Sequence, residues 1–264
     1  MKENGELKAT IAELKEWYRQ RVDLHRTEKQ LTLRIKAIER RSQGRKDQNQ
    51  SGPQANRGIS LLASIPLAES RALIKKHRLQ MERHVIRLAK LLPVWPWVES
   101  INGFGPLGLG QIIAETGDLN NYDGPAKVWK RMGLAKMSDG IQRRVKGAAA
   151  LEHGYSPERR SLMWCIGDSM IKAQNCFREV YLARKAYEEA ETQAGHHAEK
   201  VERDGMKHKK FVSKENNERV AKGWLPINLI HLRAKRYMEK ELLKELWRSW
   251  RTMSPGVPNV PKGK

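Results

Sequence analysis

The chain has 264 residues, room for one ordinary domain with extensions or for two small ones. It sets 51 Lys and Arg against 30 Asp and Glu, a formal charge of +21. That surplus repels itself on folding unless a polyanion neutralises it, and nucleic-acid phosphate is the partner it predicts. A membrane partner is excluded, because the longest apolar runs fall far short of a span and no signal peptide opens the chain.

In chain order, residues 4–42 predict one long charged helix. Leu7, Ile11, Leu14 and Tyr18 recur at steps of four and three, and Leu24, Leu31, Ile35 and Ile38 resume the stripe after a phase shift. So narrow a stripe needs a partner helix, from another chain or from this one folded back. A coiled-coil arm over 1–48 that joins copies into a homo-oligomer is the expectation. The stretch Gln43–Arg57, apolar only at Ala55, reads as linker, and the linker region runs over 49–66. A second helical run follows Pro66, with Leu73, Ile74, Met81, Val85, Ile86, Leu88 and Leu92 at helical spacing, and Pro93 and Pro96 stop it.

Residues 67–190 are the expected folded domain, densest and least charged from Trp95 to about Tyr187. Cys165 and Cys176 lie within it. On one helix they would stand roughly 16 Å apart along the axis, too far for a bridge, and they read as packing thiols in a reducing compartment. Nothing has zinc spacing. Residues 191–225 are polar and basic, with His196, His197 and Lys207-His208-Lys209-Lys210. Cations so close disfavour a metal dication, so a solvated segment is predicted. A last helix over 226–253 opens at Pro226 and carries Leu229, Leu232, Tyr237, Leu242, Leu243, Leu246, Trp247 and Trp250, before a tail over 254–264. Apart from a short hairpin around Ile141–Val145, no segment alternates with period two. The fold class is therefore all-α or nearly so, with a long N-terminal coiled-coil helix, a helix-hairpin-helix core and a C-terminal helix.

The segment Val98–Glu115 has the shape of that helix-hairpin-helix. A short helix ends at Ile101, Gly103-Phe104-Gly105 reverses the chain, and Pro106 suits the first position of the next helix. The glycines bring bare backbone N–H groups forward, and these amides, with the positive end of the second helix dipole, hold a phosphate without reading a base. Phe104 would plug the turn onto the core. Gly108 and Gly110 weaken the second helix unless another backbone approaches closely there.

After the hairpin come Ile113-Ala-Glu-Thr-Gly-Asp-Leu-Asn-Asn-Tyr122, Pro125-Ala-Lys-Val-Trp-Lys-Arg-Met-Gly-Leu-Ala135, Met137-Ser-Asp-Gly-Ile-Gln-Arg-Arg144 and Gly154-Tyr-Ser-Pro-Glu-Arg-Arg-Ser-Leu-Met-Trp164. In this order, over about residues 95–187, the pieces resemble the C-terminal domain of an insertion-sequence transposase family. Its members join an RNase-H-like domain with four acidic residues to a helix-hairpin-helix domain with a serine. The run Ile230-His-Leu-Arg-Ala-Lys-Arg-Tyr-Met-Glu-Lys240 is similar to helices that follow that domain in some relatives.

The resemblance implies DNA transposition or recombination for a mobile element, in a bacterial cytoplasm and at the nucleoid, with a structured guide RNA as a further partner. It places the serine at Ser138, after Gly133-Leu134. Attack on a phosphodiester by that hydroxyl needs a base and compensation of the phosphate charge. Asp139 stands where the family has glycine. Residues 1–94 read as arm, linker and helix, not as the acidic domain. No cofactor is thus expected in this chain, and Mg belongs to an acidic domain supplied in trans. Glu115, Asp118 and Asp123 read as helix-end and turn residues. The candidate DNA contacts are Gly103 and Gly105 in the turn, and Lys127, Lys130, Arg131, Arg143, Arg144, Lys146, Arg159 and Arg160 among the basic residues. Arg159 and Arg160 oppose the dipole of the helix they open, which favours phosphate over a structural role. The competing expectation is a DNA- or RNA-binding protein of the same descent without chemistry.

Overall fold

A computed structural model describes residues 2–42, 64–205 and 213–254. The linker expected over Gln43–Arg57, the Lys207–Lys210 run and the tail beyond Ser254 lie outside them. Over the described residues the fold is all-α but for one two-residue ladder. No helix among the described residues is long and apolar enough to cross a membrane.

Helix α1 (Lys2–Ser42), 41 residues and about 60 Å long, packs antiparallel against α2 (Ile65–Ala89). Cross-pairs fix the register: Arg87–Glu13 at 3.4 Å, Arg21–Glu82 at 3.0 Å and Arg78–Glu28 at 2.6 Å. Trp17 stacks on His84 at 4.1 Å. Leu7, Ile11, Leu14, Tyr18 and Ile35 are buried as the stripe requires, but their cover is α2 and α4 of the same chain. Of the two partners the stripe allows, the fold-back supplies this cover.

After Ala89 the chain turns at Pro93 into α3 (Trp95–Glu99), reverses, and enters α4 (Pro106–Thr116). A 3-10 turn (Leu119–Asn121) and α5 (Pro125–Arg131) follow. Next come strands β1 (Lys136–Met137) and β2 (Gly140–Ile141), then α6 (Ala149–His153), α7 (Pro157–Lys172) and α8 (Cys176–Gln193). The ladder pairs Lys136 with Ile141 and Met137 with Gly140. It lies ahead of the expected Ile141–Val145 hairpin, with Ser138-Asp139 at the turn and Gly140, at φ +118°, opening the second strand. The last helix, α11 (Ile227–Met253), spans the other elements. It packs on α8, α7 and α5, and its tryptophans anchor it: Trp250 Nε1 donates to Asp118 Oδ1 at 2.9 Å, and Trp247 Nε1 to the Tyr122 carbonyl at 3.0 Å.

One hydrophobic core runs from Leu7 and Leu14 of α1 through Leu109 and Ile112 of α4 to Leu242, Leu246 and Trp250 of α11. The expected division into arm, core domain and terminal helix does not describe the packing, since α1 and α11 both contribute to that core. Residues 191–225 also depart from expectation. They contain α9 (Ala198–Gly205) and α10 (Lys214–Ala221), and Val201, Leu225 and Ile230 bury into a small second cluster. Cys165 and Cys176 are free and exposed, on separate helices, and not packing thiols.

Candidate nucleic-acid interface

The hairpin turn is built from the inside. Val98, Ile101 and Phe104 are buried, and Trp97 meets the Phe104 ring edge-on at 6.5 Å. Helix α3 stops at Glu99, and Ile101 continues as a hydrogen-bonded turn (Ile101 N to Val98 O, 3.0 Å). Gly103 has φ +82°, and a Cβ there would lie 2.6 Å from Ala173 Cβ and 2.9 Å from the Ser169 carbonyl oxygen. That glycine is demanded by the turn and by the end of α7 jammed against it. Asn175, the N-cap of α8, also donates to the Asn102 carbonyl. Gly110 answers the expectation of close approach: its missing Cβ would sit 2.6 Å from Val85 Cγ1 of α2.

Gly105 is different. Its φ of −89° and ψ of 176° suit any residue, and nothing lies within 4 Å of where a Cβ would stand. It is the N-cap of α4 but offers no side-chain oxygen, so α4 begins uncapped at Pro106. This end opens on a surface groove lined by Lys90, Trp95, Glu99, Asn102, Gly103 and Gly105, with Lys90 Nζ 5.5 Å above the Trp95 ring. Lys90 and Trp95 were not among the candidates. The basic residue just ahead of the Leu91-Leu92-Pro93 stop was their only signal, and it gives no direction.

The second candidate region is the β-hairpin with Ser138 at its tip. Ser138 is exposed, and its hydroxyl makes no hydrogen bond among the described residues. Asp139 is engaged: Oδ2 accepts from Arg143 at 2.8 Å, and Oδ1 lies 3.3 Å from Nε2 of buried His153. Behind the tip, buried Gln142 ties the loop together. Its Oε1 accepts from Ala135 N at 3.1 Å, and its Nε2 donates to the carbonyls of Lys130 (3.0 Å) and His153. From α11, Arg236 donates to the carbonyls of Gly133 and Ala135, both at 3.2 Å. Burial, with repulsion from Arg160 added, brings the Arg236 guanidinium down to about 10.

The basic candidates divide. Lys130, Arg144 and Lys146 are exposed, with no ion pair among the described residues. Lys127 and Arg143 hold exposed partners, Asp123 and Asp139, of the kind that contributes little to stability and exchanges readily for phosphate. Arg131 is exposed but donates to the Glu115 carbonyl at 2.8 Å. The case against structural roles for Arg159 and Arg160 is overturned. Arg159 pairs with Glu115 at 2.8 Å and reaches the Arg131 carbonyl. Arg160 pairs at 2.9 Å with Glu239 of α11, whose carboxylate is fully buried. Tertiary carboxylates, invisible in local sequence, outweigh the helix terminus.

Around Glu239 sits an ionic cluster that sequence inspection missed. Burial pushes the Glu239 carboxyl up, against the pull of Arg160 and Lys235. Lys235, also fully buried, places its ammonium 3.8 Å from the Trp164 ring centre and 3.8 Å from Asp168. Gly167 makes room, since a Cβ there would meet Glu239 Oε1 at 2.8 Å. The four-residue spacing of Lys235 and Glu239 was the available signal.

Glu115, Asp118 and Asp123 each have a structural partner: Arg159, Trp250 Nε1 and Lys127. Among the described residues no group of three or more His, Cys, Asp and Glu is arranged to hold a metal ion. No protein family, curated protein or solved structure matches the chain.

Proposed function

We propose that the chain is a DNA-binding protein of the transposase type, acting in recombination of a mobile element, and that the hairpin turn holds the duplex backbone. The observation that carries this reading is the uncapped start of α4 opening on a groove beside Lys90, in a chain of charge +21. Unpartnered amides, a helix dipole and a nearby ammonium together attract one phosphate and read no base. The fold does not require glycine at 105, so the bare backbone there is left for a ligand. A structured RNA, an acidic domain in trans and a place at the nucleoid belong to the same proposal.

Gly105→Asp tests it. An aspartate at this N-cap should stabilise α4 by about 0.5–1 kcal/mol while placing a carboxylate where the phosphate would sit. The expected outcome is a raised unfolding midpoint together with duplex affinity at least about tenfold weaker, read by fluorescence anisotropy in low salt. Unchanged affinity with a raised midpoint would remove the turn from the interface.

A second reading, binding without chemistry, is favoured by Ser138. Its hydroxyl has no base within the described residues, and the adjacent Asp139 carboxylate is held by Arg143 and His153. Attack by Ser138 needs a base from a partner.

A further inference from the structure

Helix α2 presents a second charged feature that leads into the hairpin groove. Its inward face carries Val85, Leu88 and Ala89 against the core, and Arg78 and Glu82 against α1. On the opposite face Lys76, Arg83 and the C-cap residue Lys90, whose backbone is still helical, recur every seven residues, a spacing that keeps them nearly in line along a helix. All three are exposed, and none is in an ion pair among the described residues. Lys76 and Arg83, with Leu79 between them, line a shallow groove of their own, and Lys90 lines the groove of the hairpin turn. Glu69, a further seven residues back, ends the basic line.

We propose that Lys76, Arg83 and Lys90 form a phosphate track that carries the backbone of a DNA duplex along α2 into the hairpin groove. This rests on the DNA-binding reading above and adds the path of the nucleic acid. Successive cations are about 10.5 Å apart and the whole track about 21 Å long. One strand advances about 3.4 Å per phosphate along the duplex axis, so the track spans roughly six base pairs. A straight, rigid row suits a stiff duplex. A single strand is held by stacking its bases on successive aromatic rings, and this face has only Trp95, at its far end and already under Lys90. Arg87, on the flank, pairs with Glu13 and is exposed enough to exchange that carboxylate for phosphate.

The test uses the full chain and titrates a short duplex, and separately one of its strands, across a range of salt. The variants are Lys76→Gln with Arg83→Gln and, as a control of equal charge loss, Lys29→Gln with Lys36→Gln on exposed positions of α1. Glutamine keeps helix propensity close to that of Lys and Arg, and an unchanged unfolding midpoint shows that each variant still folds. The expected result for the track variant is a log–log salt slope shallower by about 2 and duplex affinity about 60-fold weaker near 0.1 M salt, with the control changed less than about threefold. A track variant that keeps the wild-type slope, a control that loses as much as the track variant, or a single strand bound as tightly as the duplex would each overturn the track. If Gly105→Asp still weakens binding in the first of these cases, the hairpin reading survives and the track alone fails. A wild-type chain that binds no duplex overturns both.

Discussion

The turn at Gly103–Pro106 and the turn at Ser138–Asp139 are both tight reversals in a helical protein, yet they dispose of their polar groups in opposite ways. At the first, the side chains point inward and are apolar: Phe104 is buried and Gly103 is pressed onto α7, while the backbone start of α4 faces outward uncapped. At the second, the polar groups turn back on the loop itself. Gln142 collects backbone partners, and Asp139 is shared between Arg143 and His153. A preformed backbone site costs no reorganisation when an anion arrives, whereas a hydroxyl nucleophile needs a base aimed at it. On the proposed function, the first region positions a phosphate, whereas the second, within this chain, holds its own shape.

The largest effect that sharpens this contrast is expected at Gly103. Gly103→Val forces a β-branched residue to φ +82° and drives its Cβ into the Ser169 carbonyl oxygen. Backbone strain and overpacking together should cost about 3–5 kcal/mol in urea denaturation. A loss below about 1 kcal/mol would mean that the turn is not braced by α7.

The β-hairpin should respond next. Gln142→Met keeps the volume but leaves Ala135 N–H and the carbonyls of Lys130 and His153 without their partner. Leaving such buried groups unpaired should cost about 2–4 kcal/mol by the same measurement. Duplex affinity should stay within about threefold if the hairpin turn, and not this loop, carries the phosphate contact. A large affinity loss with little destabilisation would reverse the roles assigned to the two regions.

Much of this contrast was legible in the sequence. The stripe from Leu7 to Tyr18, the end of α2 ahead of Pro93, Pro106 at the start of α4 and Phe104 as the plug all follow from local periodicity and backbone chemistry, whereas Pro96, read as a stop, opens α3. What covers an apolar face does not, since a stripe states only that something must. The same periodicity served α2 folding back and a second copy equally well. Partners of charged residues were out of reach for the same reason. Arg160 finds Glu239, seventy-nine positions away, and Arg159 finds Glu115. The helices within 191–225 were not legible, because Val201 and Leu225 are too sparse to form a periodic signal, though they meet Ile230 of α11 in space.

The smallest structural effect, and the most informative for chemistry, belongs to Ser138. Its side chain is exposed and makes no hydrogen bond among the described residues, so Ser138→Ala should change stability by no more than about 0.5 kcal/mol. Duplex affinity should also hold, because the hairpin amides and the exposed Lys130, Arg144 and Lys146 remain in place. The discriminating measurement is denaturing gel retention of labelled duplex with Mg present, with the chain alone and with an acidic RNase-H-like domain added. The chain alone should give no covalent adduct, because nothing at Ser138 takes up the hydroxyl proton. With a catalytic partner whose base takes the proton, Ser138 Oγ attacks the phosphorus and one deoxyribose oxygen leaves as a free strand-end hydroxyl; the phosphoserine linkage that remains survives denaturation, and Ser138→Ala should abolish it. An adduct that persists in Ser138→Ala would assign the nucleophile to another residue. A wild-type adduct formed without the partner would show that the Asp139–His153 pair releases a base to Ser138 once DNA binds, reversing the view of this loop as closed on itself.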